Sequence, residues 1–268
     1  MTESIGGEVG LVLPELDAVV ARLTLGFAAP IPVERIARRL GIAIERSTSQ
    51  AARGQLVRLR ATTAIRLAGP HRSDELTPRQ RFTVGHELGH TLLEQIYPGR
   101  FDHLHQPGRG GRYWQETEVL CNAIASRLLI PDRLVVSVSQ RIRTAHELEI
   151  EVRRVSLWSQ TSREVATRRL LNHLHLDAFV AEIRHDESPI LEWSTERTKD
   201  GPTVRRGRQS AVRVPALAEP LVVSASLAVG RCSTTSVPGY TDARLRRVNT
   251  RTSLLVATAS SGVGRLTR

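Results

Sequence analysis

The spacing of hydrophobic residues predicts a mainly helical first part of the chain and a strand-rich end. Before residue 175, apolar side chains recur at helical spacing in several stretches, and three short pieces with β-type composition interrupt them. The predicted helices are 15–25, 31–40, 78–96, 116–130, 132–142, 145–157 and 161–174, and the predicted strands are 42–45, 54–59 and 64–67. We therefore expect an α+β fold in which a short sheet lies beside the helix at 78–96.

From residue 177 onward, the pattern changes to short apolar runs separated by Gly, Pro and charged residues. Strands are expected at 178–183, 189–193, 212–214, 221–227 and 253–258. The basic segment 197–208 contains glycine and proline and is predicted to be an exposed loop. The change of pattern divides the chain into an N-terminal extension and helix at 1–29, a domain with closing helices at 30–174, and a strand-rich C-terminal domain at 175–268.

The helix at 78–96 has a defined start in the sequence. Thr77 is a typical N-cap, Pro78 suits the first helical position, and Gln80 completes a capping box. Apolar residues that can bury this helix follow at helical spacing. The helix should therefore be a fixed element of the core.

Two histidines on this helix, His86 and His90, enclose Glu87 in an H-E-x-x-H pattern. Residues four positions apart lie on one face of a helix, about one turn from each other. Two imidazoles in this arrangement can bind one zinc ion, and the carboxylate between them can reach a metal-bound water as general base. We predict His86 and His90 as ligands of Zn²⁺ and Glu87 as the catalytic residue.

The helix at 116–130 offers a third ligand. It carries Glu118 and, four positions later, Asn122. A carboxylate can complete a site of two histidines and one glutamate whose fourth position stays open, and an amide can orient a ligand histidine. The longer metzincin pattern is excluded, because Leu93 and Ile96 stand where its glycine and third histidine belong. We predict Glu118 as a ligand and Asn122 as the orienting residue.

Four further residues have both a functional and an ordinary interpretation. The loop at 97–113, rich in Gly and Pro, carries His103, His105 and Tyr113, and any of these could stabilise an oxyanion. Exposed loop side chains are the simpler interpretation for each. Cys121 follows Glu118 by three residues and could face the metal, but a small buried thiol is the simpler interpretation.

Three motifs in this order resemble the ImmA/IrrE metallopeptidase family. Residues 79–90 are similar to its signature around H-E-x-x-H, residues 118–131 to its glutamate-bearing run, and residues 31–42 to its opening helix. Leu120 and Cys121 depart from the family's pattern at positions that are not the expected ligands. The resemblance implies a small zincin-like metallopeptidase domain, a zinc cofactor, and cleavage of a partner that is typically a helix-turn-helix repressor.

Composition narrows the classes of protein further. No apolar run has the length of a membrane span, and the N-terminus lacks a basic-then-apolar signal, so we expect no membrane partner. Two cysteines give no disulfide framework, which favours a cytoplasmic location. The net charge of +11 allows an acidic partner or nucleic acid, although an arginine-rich surface without such a partner is the simpler interpretation.

Taken with the resemblance, these features predict a zinc-dependent metalloendopeptidase acting on a regulatory protein, with a helix-turn-helix repressor as the expected substrate. The alternatives are a basic binding module that sequesters a repressor or contacts DNA without cutting, and a structural zinc site. Glu87 argues against the binding module, because a scaffold needs no general base. Three protein ligands with an open fourth position argue against a structural site.

Overall fold

A computed structural model of the chain describes residues 6–47, 54–59, 62–68, 75–99, 112–174, 177–185, 189–198, 201–210, 232–234, 242–247 and 252–259. Within these ranges the helices are α1 Gly6–Thr24, α2 Val33–Arg39, α3 Pro78–Ile96, α4 Arg112–Leu129, α5 Asp132–Ser139, α6 Ala145–Ser159 and α7 Arg163–Leu171. The strands are β1 Ile42–Ser47, β2 Gly54–Leu59, β3 Thr62–Ala68, β4 Asp177–His185, β5 Pro189–Thr198, β6 Gly201–Ser210, β7 Cys232–Thr234, β8 Asp242–Arg247 and β9 Thr252–Ala259. The fold is α+β, as predicted.

By its contacts the chain separates into two compact units. The first contains Met1–Asp132 and Ser156–Ser162, and the second contains Arg133–Val155 and Arg163–Arg268. In this grouping α7 belongs with the C-terminal strands and packs against β5. The division into three domains that the sequence suggests stays a prediction.

A three-stranded sheet, in the order β1-β3-β2, lies in the first unit. β1 pairs with β3 in parallel, and β2 pairs with β3 antiparallel, so that β2 is an edge strand of the described sheet. The sheet and the helices share one hydrophobic core. Its largest fully buried apolar side chains are Leu16, Ile31, Ile36, Ile65, Leu67, Leu88, Leu92, Leu93, Ile124 and Leu128.

The second unit contains a six-stranded antiparallel sheet in the order β6-β5-β4-β9-β8-β7. The sequence prediction of a loop at 197–208 is wrong, because β5 and β6 form a hairpin in which Thr198 pairs with Gly201 and Arg197 with Pro202. Proline is tolerated at the start of a strand and on an edge strand, and Pro202 has both positions. Glycine and proline therefore mark the start of β6. The predicted strands 212–214 and 221–227 lie outside the described residues.

The largest difference between a predicted and an observed helix is at the start of α1. α1 begins at Gly6, nine residues before the predicted start at Glu15, and contains Pro14. Residues 9, 12, 13 and 16 continue the apolar helical spacing, which the surrounding glycines and the proline obscure in the sequence. In the described residues, no helix combines the length and hydropathy that a membrane span requires.

Candidate metal centre

The predicted capping box at the start of α3 is confirmed. The N–H of Gln80 donates to Thr77 Oγ1 at 3.2 Å, and the N–H of Thr77 donates to Gln80 Oε1 at 3.0 Å. These two bonds satisfy backbone donors that the first turn of a helix leaves without intrahelical partners. The cap defines where α3 begins, two turns before His86.

A buried arginine ties the same end of α3 to the segment before α2. Arg81 is 4% exposed, and its Nη2 donates to the carbonyl oxygen of Ile31 at 2.7 Å. Burial lowers the pKa of this guanidinium, and the carboxylate of Glu34, 3.9 Å away, opposes the shift. Sequence reasoning gave Arg81 no role, because its partner is 50 residues away along the chain.

Two glycines bring α3 and α4 together. A Cβ on Gly89 would lie 2.9 Å from the Cα of Cys121, and one on Gly85 would lie 3.2 Å from the Cα of Ala125. A Cβ at the Gly89 distance would force a displacement, and one at the Gly85 distance would be unusually tight, so the two helices meet almost backbone to backbone. This approach allows a short carboxylate on α4 to reach imidazoles on α3.

His86, His90 and Glu118 converge where the two helices meet. Glu118 Oε2 lies 3.3 Å from His86 Nε2, and Glu118 Oε1 lies 3.4 Å from His90 Nε2. The two Nε2 atoms are 3.2 Å apart. The side chains are 16%, 22% and 28% exposed for His86, His90 and Glu118 respectively, so the cluster is open to solvent on one side.

Asn122 contacts the ring of His86 from the side away from this cluster. Its Oδ1 lies 3.1 Å from His86 Nδ1. With the amide oxygen as acceptor, Nδ1 carries a hydrogen, which leaves Nε2 as the nitrogen that can bind a metal when the ring is neutral. The structure thus gives Asn122 the contact that an orienting residue needs.

The charges in the cluster are strongly linked. Burial disfavours the charged form of His86, but hydrogen bonding and charge from Glu118, together with Glu87 and Asn122, hold the pKa of His86 above its ordinary value. Hydrogen bonds from His86 and His90 lower the pKa of Glu118 to about 2. The carboxylate therefore stays ionised over the whole neutral range, as a metal ligand must.

Glu87 follows His86 on α3 and also contacts the three-stranded sheet. Its Oε2 accepts a hydrogen bond from the backbone N–H of Leu56 in β2 at 3.1 Å. Burial raises the pKa of Glu87, although the positive charges of His90 and His86 and the bond from Leu56 oppose the shift. A raised pKa makes a carboxylate a better proton acceptor.

The four residues with two interpretations have different outcomes. Cys121 is fully buried, and burial raises the pKa of its thiol. Its Cα and Cβ lie against Gly89, which fits the interpretation as a small buried side chain. His103 and His105 lie outside the described residues. Tyr113 is in the first turn of α4, and its side chain is not described.

The three converging donor atoms fit a single divalent ion. Atoms bound at 2.0–2.1 Å to a tetrahedral zinc are roughly 3.4 Å from each other. The two Nε2 atoms are 3.2 Å apart, and each lies 3.3 or 3.4 Å from one of the two Glu118 oxygens, so each pair is close to this value. Among the residues that the structure describes, the cluster of side chains that could hold a metal ion consists of His86, His90 and Glu118. Imidazole and carboxylate donors suit zinc.

The comparison with known families agrees with this arrangement. The sequence model of the peptidase family described as the IrrE N-terminal-like domain matches residues 37–171, which is half of the chain. The chain belongs to this family. The matched residues include β1 to β3 and the two helices of the metal centre, α3 and α4. It confirms the family that the sequence motifs resemble.

Two individual proteins extend the comparison. The radiation response metalloprotease IrrE of Deinococcus radiodurans is 36% identical to this chain over 63 residues. The aligned residues are 24% of this chain and 19% of that protein. The match thus spans about a fifth of the relative's length. A solved Mycobacterium tuberculosis transcriptional regulator superposes with a TM-score of 0.53 at 14% identity, over 96% of this chain and 79% of that one. This likeness shows a shared fold.

Proposed function

We propose that this chain is a cytoplasmic zinc-dependent metalloendopeptidase that cleaves a regulatory protein, in the first instance a helix-turn-helix transcriptional repressor. The observation that carries the proposal is the group formed by the two Nε2 atoms, 3.2 Å apart, and the Glu118 carboxylate, whose two oxygens lie 3.3 and 3.4 Å from them, beside Glu87. Membership of a peptidase family supports the reaction class. The family resemblance supports the substrate class.

His86, His90 and Glu118 would hold the ion, with Asn122 fixing the ring of His86. A zinc ion at this position would act as a Lewis acid on the scissile carbonyl and lower the pKa of a water molecule. Glu87 follows His86 directly in the chain, and its carboxylate can accept the proton of the attacking water and pass it to the leaving amine. Burial raises the pKa of Glu87, which favours its acceptance of that proton.

Strand β2 supports binding of an extended peptide at the same place, through outward backbone groups other than the Leu56 N–H, which donates to Glu87. It is an edge strand of the described three-stranded sheet and lies next to α3. An edge strand can bind a peptide by adding it as a further strand through backbone hydrogen bonds. This mode places little demand on the sequence of the peptide, so that specificity would come from side-chain contacts elsewhere.

Cleavage by the wild type and by Glu87→Gln tests the proposal. Helix-turn-helix repressors encoded beside the gene for this chain are the probes, and mass spectrometry detects new termini after incubation with zinc-loaded protein. The amide of glutamine is nearly isosteric with the carboxylate but cannot accept the proton, so the rate should fall by at least ~10²–10⁴-fold. Glu94→Gln, the same change further along α3, is the matched control and should cut at the wild-type rate.

The competing function, a basic module that binds its partner without cutting, is favoured by the net charge of +11. The same experiment separates the two functions. A wild-type protein that binds a repressor tightly and leaves it intact would establish the binding module. Equal cleavage by the wild type and Glu87→Gln would locate the chemistry elsewhere.

A further inference from the structure

One face of α3 packs against the edge strand β2 at two points. Thr83 and Glu87 are four residues apart on the helix, and they meet Gly54 and Leu56, which are two residues apart on the strand. Four helical residues rise about 6 Å and two strand residues span about 6.6 Å, so the two spacings match. The strand and the helix therefore run in the same direction along this line of contact.

The first contact is the hydrogen bond from the N–H of Leu56 to Glu87 Oε2, 3.1 Å long. In an antiparallel pair, alternate residues turn their backbone groups toward the partner strand and away from it. Leu56 lies opposite Ile65 of β3, and its N–H points away from β3 toward Glu87. This donor is therefore available to α3 without loss of a bond in the β2–β3 ladder.

The second contact sets the distance between the two elements. A Cβ on Gly54 would overlap the Cγ2 methyl of Thr83, and the next atom, Thr83 Cβ, would be 3.5 Å away. The Thr83 hydroxyl donates to the carbonyl oxygen of Arg79 at 3.1 Å, which favours the present rotamer of this β-branched side chain. Only glycine at position 54 allows β2 to lie this close to α3.

We propose that strand β2 is a positioning element for the general base: the Leu56 N–H holds the Glu87 carboxylate by Oε2, and Gly54 packed against Thr83 keeps the strand within reach. A glutamate side chain has three rotatable bonds, and fixing one oxygen leaves the other free to accept a proton in a defined place. The effect on catalysis rests on the proposed function, whereas the contact between β2 and α3 is independent of it.

Hydrogen exchange tests the contact in the full-length, metal-free protein. Glu87→Ala removes the acceptor and adds no atoms, so exchange of the Leu56 amide should become about tenfold faster, as expected for loss of one hydrogen bond. The Val57 amide is the internal control, since the alternation of the strand turns it toward β3. Unchanged exchange at Leu56 would overturn the proposal whether or not the protein is a peptidase.

Gly54→Ala should have the same effect by pushing β2 away from α3. Thr83→Ser removes the methyl group that the new Cβ would meet and keeps the hydroxyl. The double variant Gly54→Ala with Thr83→Ser should therefore return Leu56 exchange to within about threefold of the wild type. If Gly54→Ala does not fold, the Glu87→Ala comparison still decides the contact.

Kinetics then separate positioning from simple support of the fold. With a repressor that the wild type cuts, Gly54→Ala should lower kcat about tenfold or more, with zinc content unchanged and a smaller effect on KM, and the double variant should restore kcat. A purely structural contact would lower the melting temperature and leave kcat unchanged below it, and that result would overturn the positioning role. If no repressor is cut by the wild type, the proposed function fails, while the exchange data still decide the contact.

Discussion

At the scale of single residues, Glu118 on α4 links its helix to the two histidines on α3. Its two oxygens lie 3.3 and 3.4 Å from the Nε2 atoms of His86 and His90, which belong to a different helix. Without a metal, these contacts are charge-assisted hydrogen bonds, which stabilise the ionised carboxylate. They lower the pKa of Glu118 to about 2. The same carboxylate would therefore stabilise the metal-free fold as well as bind an ion.

The lowered pKa predicts how Glu118→Gln acts in the metal-free protein. A carboxylate with a depressed pKa contributes stability above its ordinary pKa, and that contribution is lost as the pH falls through the folded value. The wild type should therefore be more stable than the variant at neutral pH. The difference should shrink between pH 4.5 and about 2. Urea unfolding at several pH values measures it, and a difference that stays constant to pH 2 would contradict the account.

The residues of the centre differ in how far the sequence reveals them. His86, Glu87 and His90 follow from spacing within one helix, and Glu118 and Asn122 from the same spacing on a second helix. The bond from Leu56 to Glu87 joins residues 31 apart, and the bond from Arg81 to Ile31 joins residues 50 apart. Local periodicity carries no information about such pairs. They appear only when the sheet, α2 and α3 are placed together.

At the scale of elements, the close approach of α3 and α4 depends on small residues at matched positions. Gly85 faces Ala125 and Gly89 faces Cys121, which shows that the two helices run antiparallel at this contact. Both Ala125 and Cys121 are fully buried. A larger side chain at Gly89, where the approach is closest, would separate the histidines from Glu118.

Gly89→Ala should therefore destabilise the protein by about 1–2 kcal/mol, because overpacking against backbone outweighs the better helix propensity of alanine. Gly85→Ala, with a looser contact, should be closer to neutral and is the matched control. Chemical unfolding gives both values, and zinc titration should show weaker binding in Gly89→Ala alone. Equal stability of the two variants would mean that the helices adjust freely.

Elements with a strong local signal were predictable, and those defined by pairing were less so. The Thr77–Gln80 cap placed the start of α3 correctly. A second reciprocal cap precedes α6, where the N–H of Glu147 donates to Thr144 Oγ1 and the N–H of Thr144 donates to Glu147 Oε2; it is absent from the sequence predictions. The β5–β6 hairpin was missed because its strands are rich in charge, and their pairing is not a local property.

At the scale of the whole molecule, the centre and the C-terminal strands belong to different units. His86, His90, Glu118 and Asn122 all lie in the unit that contains Met1–Asp132. The six-stranded sheet lies in the other, where Ala178, Val180 and Val256 are fully buried. We propose that residues 175–268 control substrate access or dock the partner and contribute nothing to metal binding.

A chain that ends at His175 should then still bind one zinc and differ from the full chain in substrate affinity or basal activity. It should also be less stable, because α7 loses the strand β5 against which it packs. Elemental analysis and circular dichroism measure the two effects. Loss of zinc in a truncated chain that keeps its helices would show that the C-terminal strands help to build the centre.

Zinc stoichiometry tests most directly whether His86, His90 and Glu118 hold one zinc ion. Elemental analysis should give one zinc per chain for the wild type and for Glu87→Gln, since the base is not a ligand. His90→Ala and Glu118→Ala should lose their zinc at chelator concentrations that leave the wild type loaded, because each removes one of three protein ligands. Full zinc occupancy in both of these variants would contradict the account.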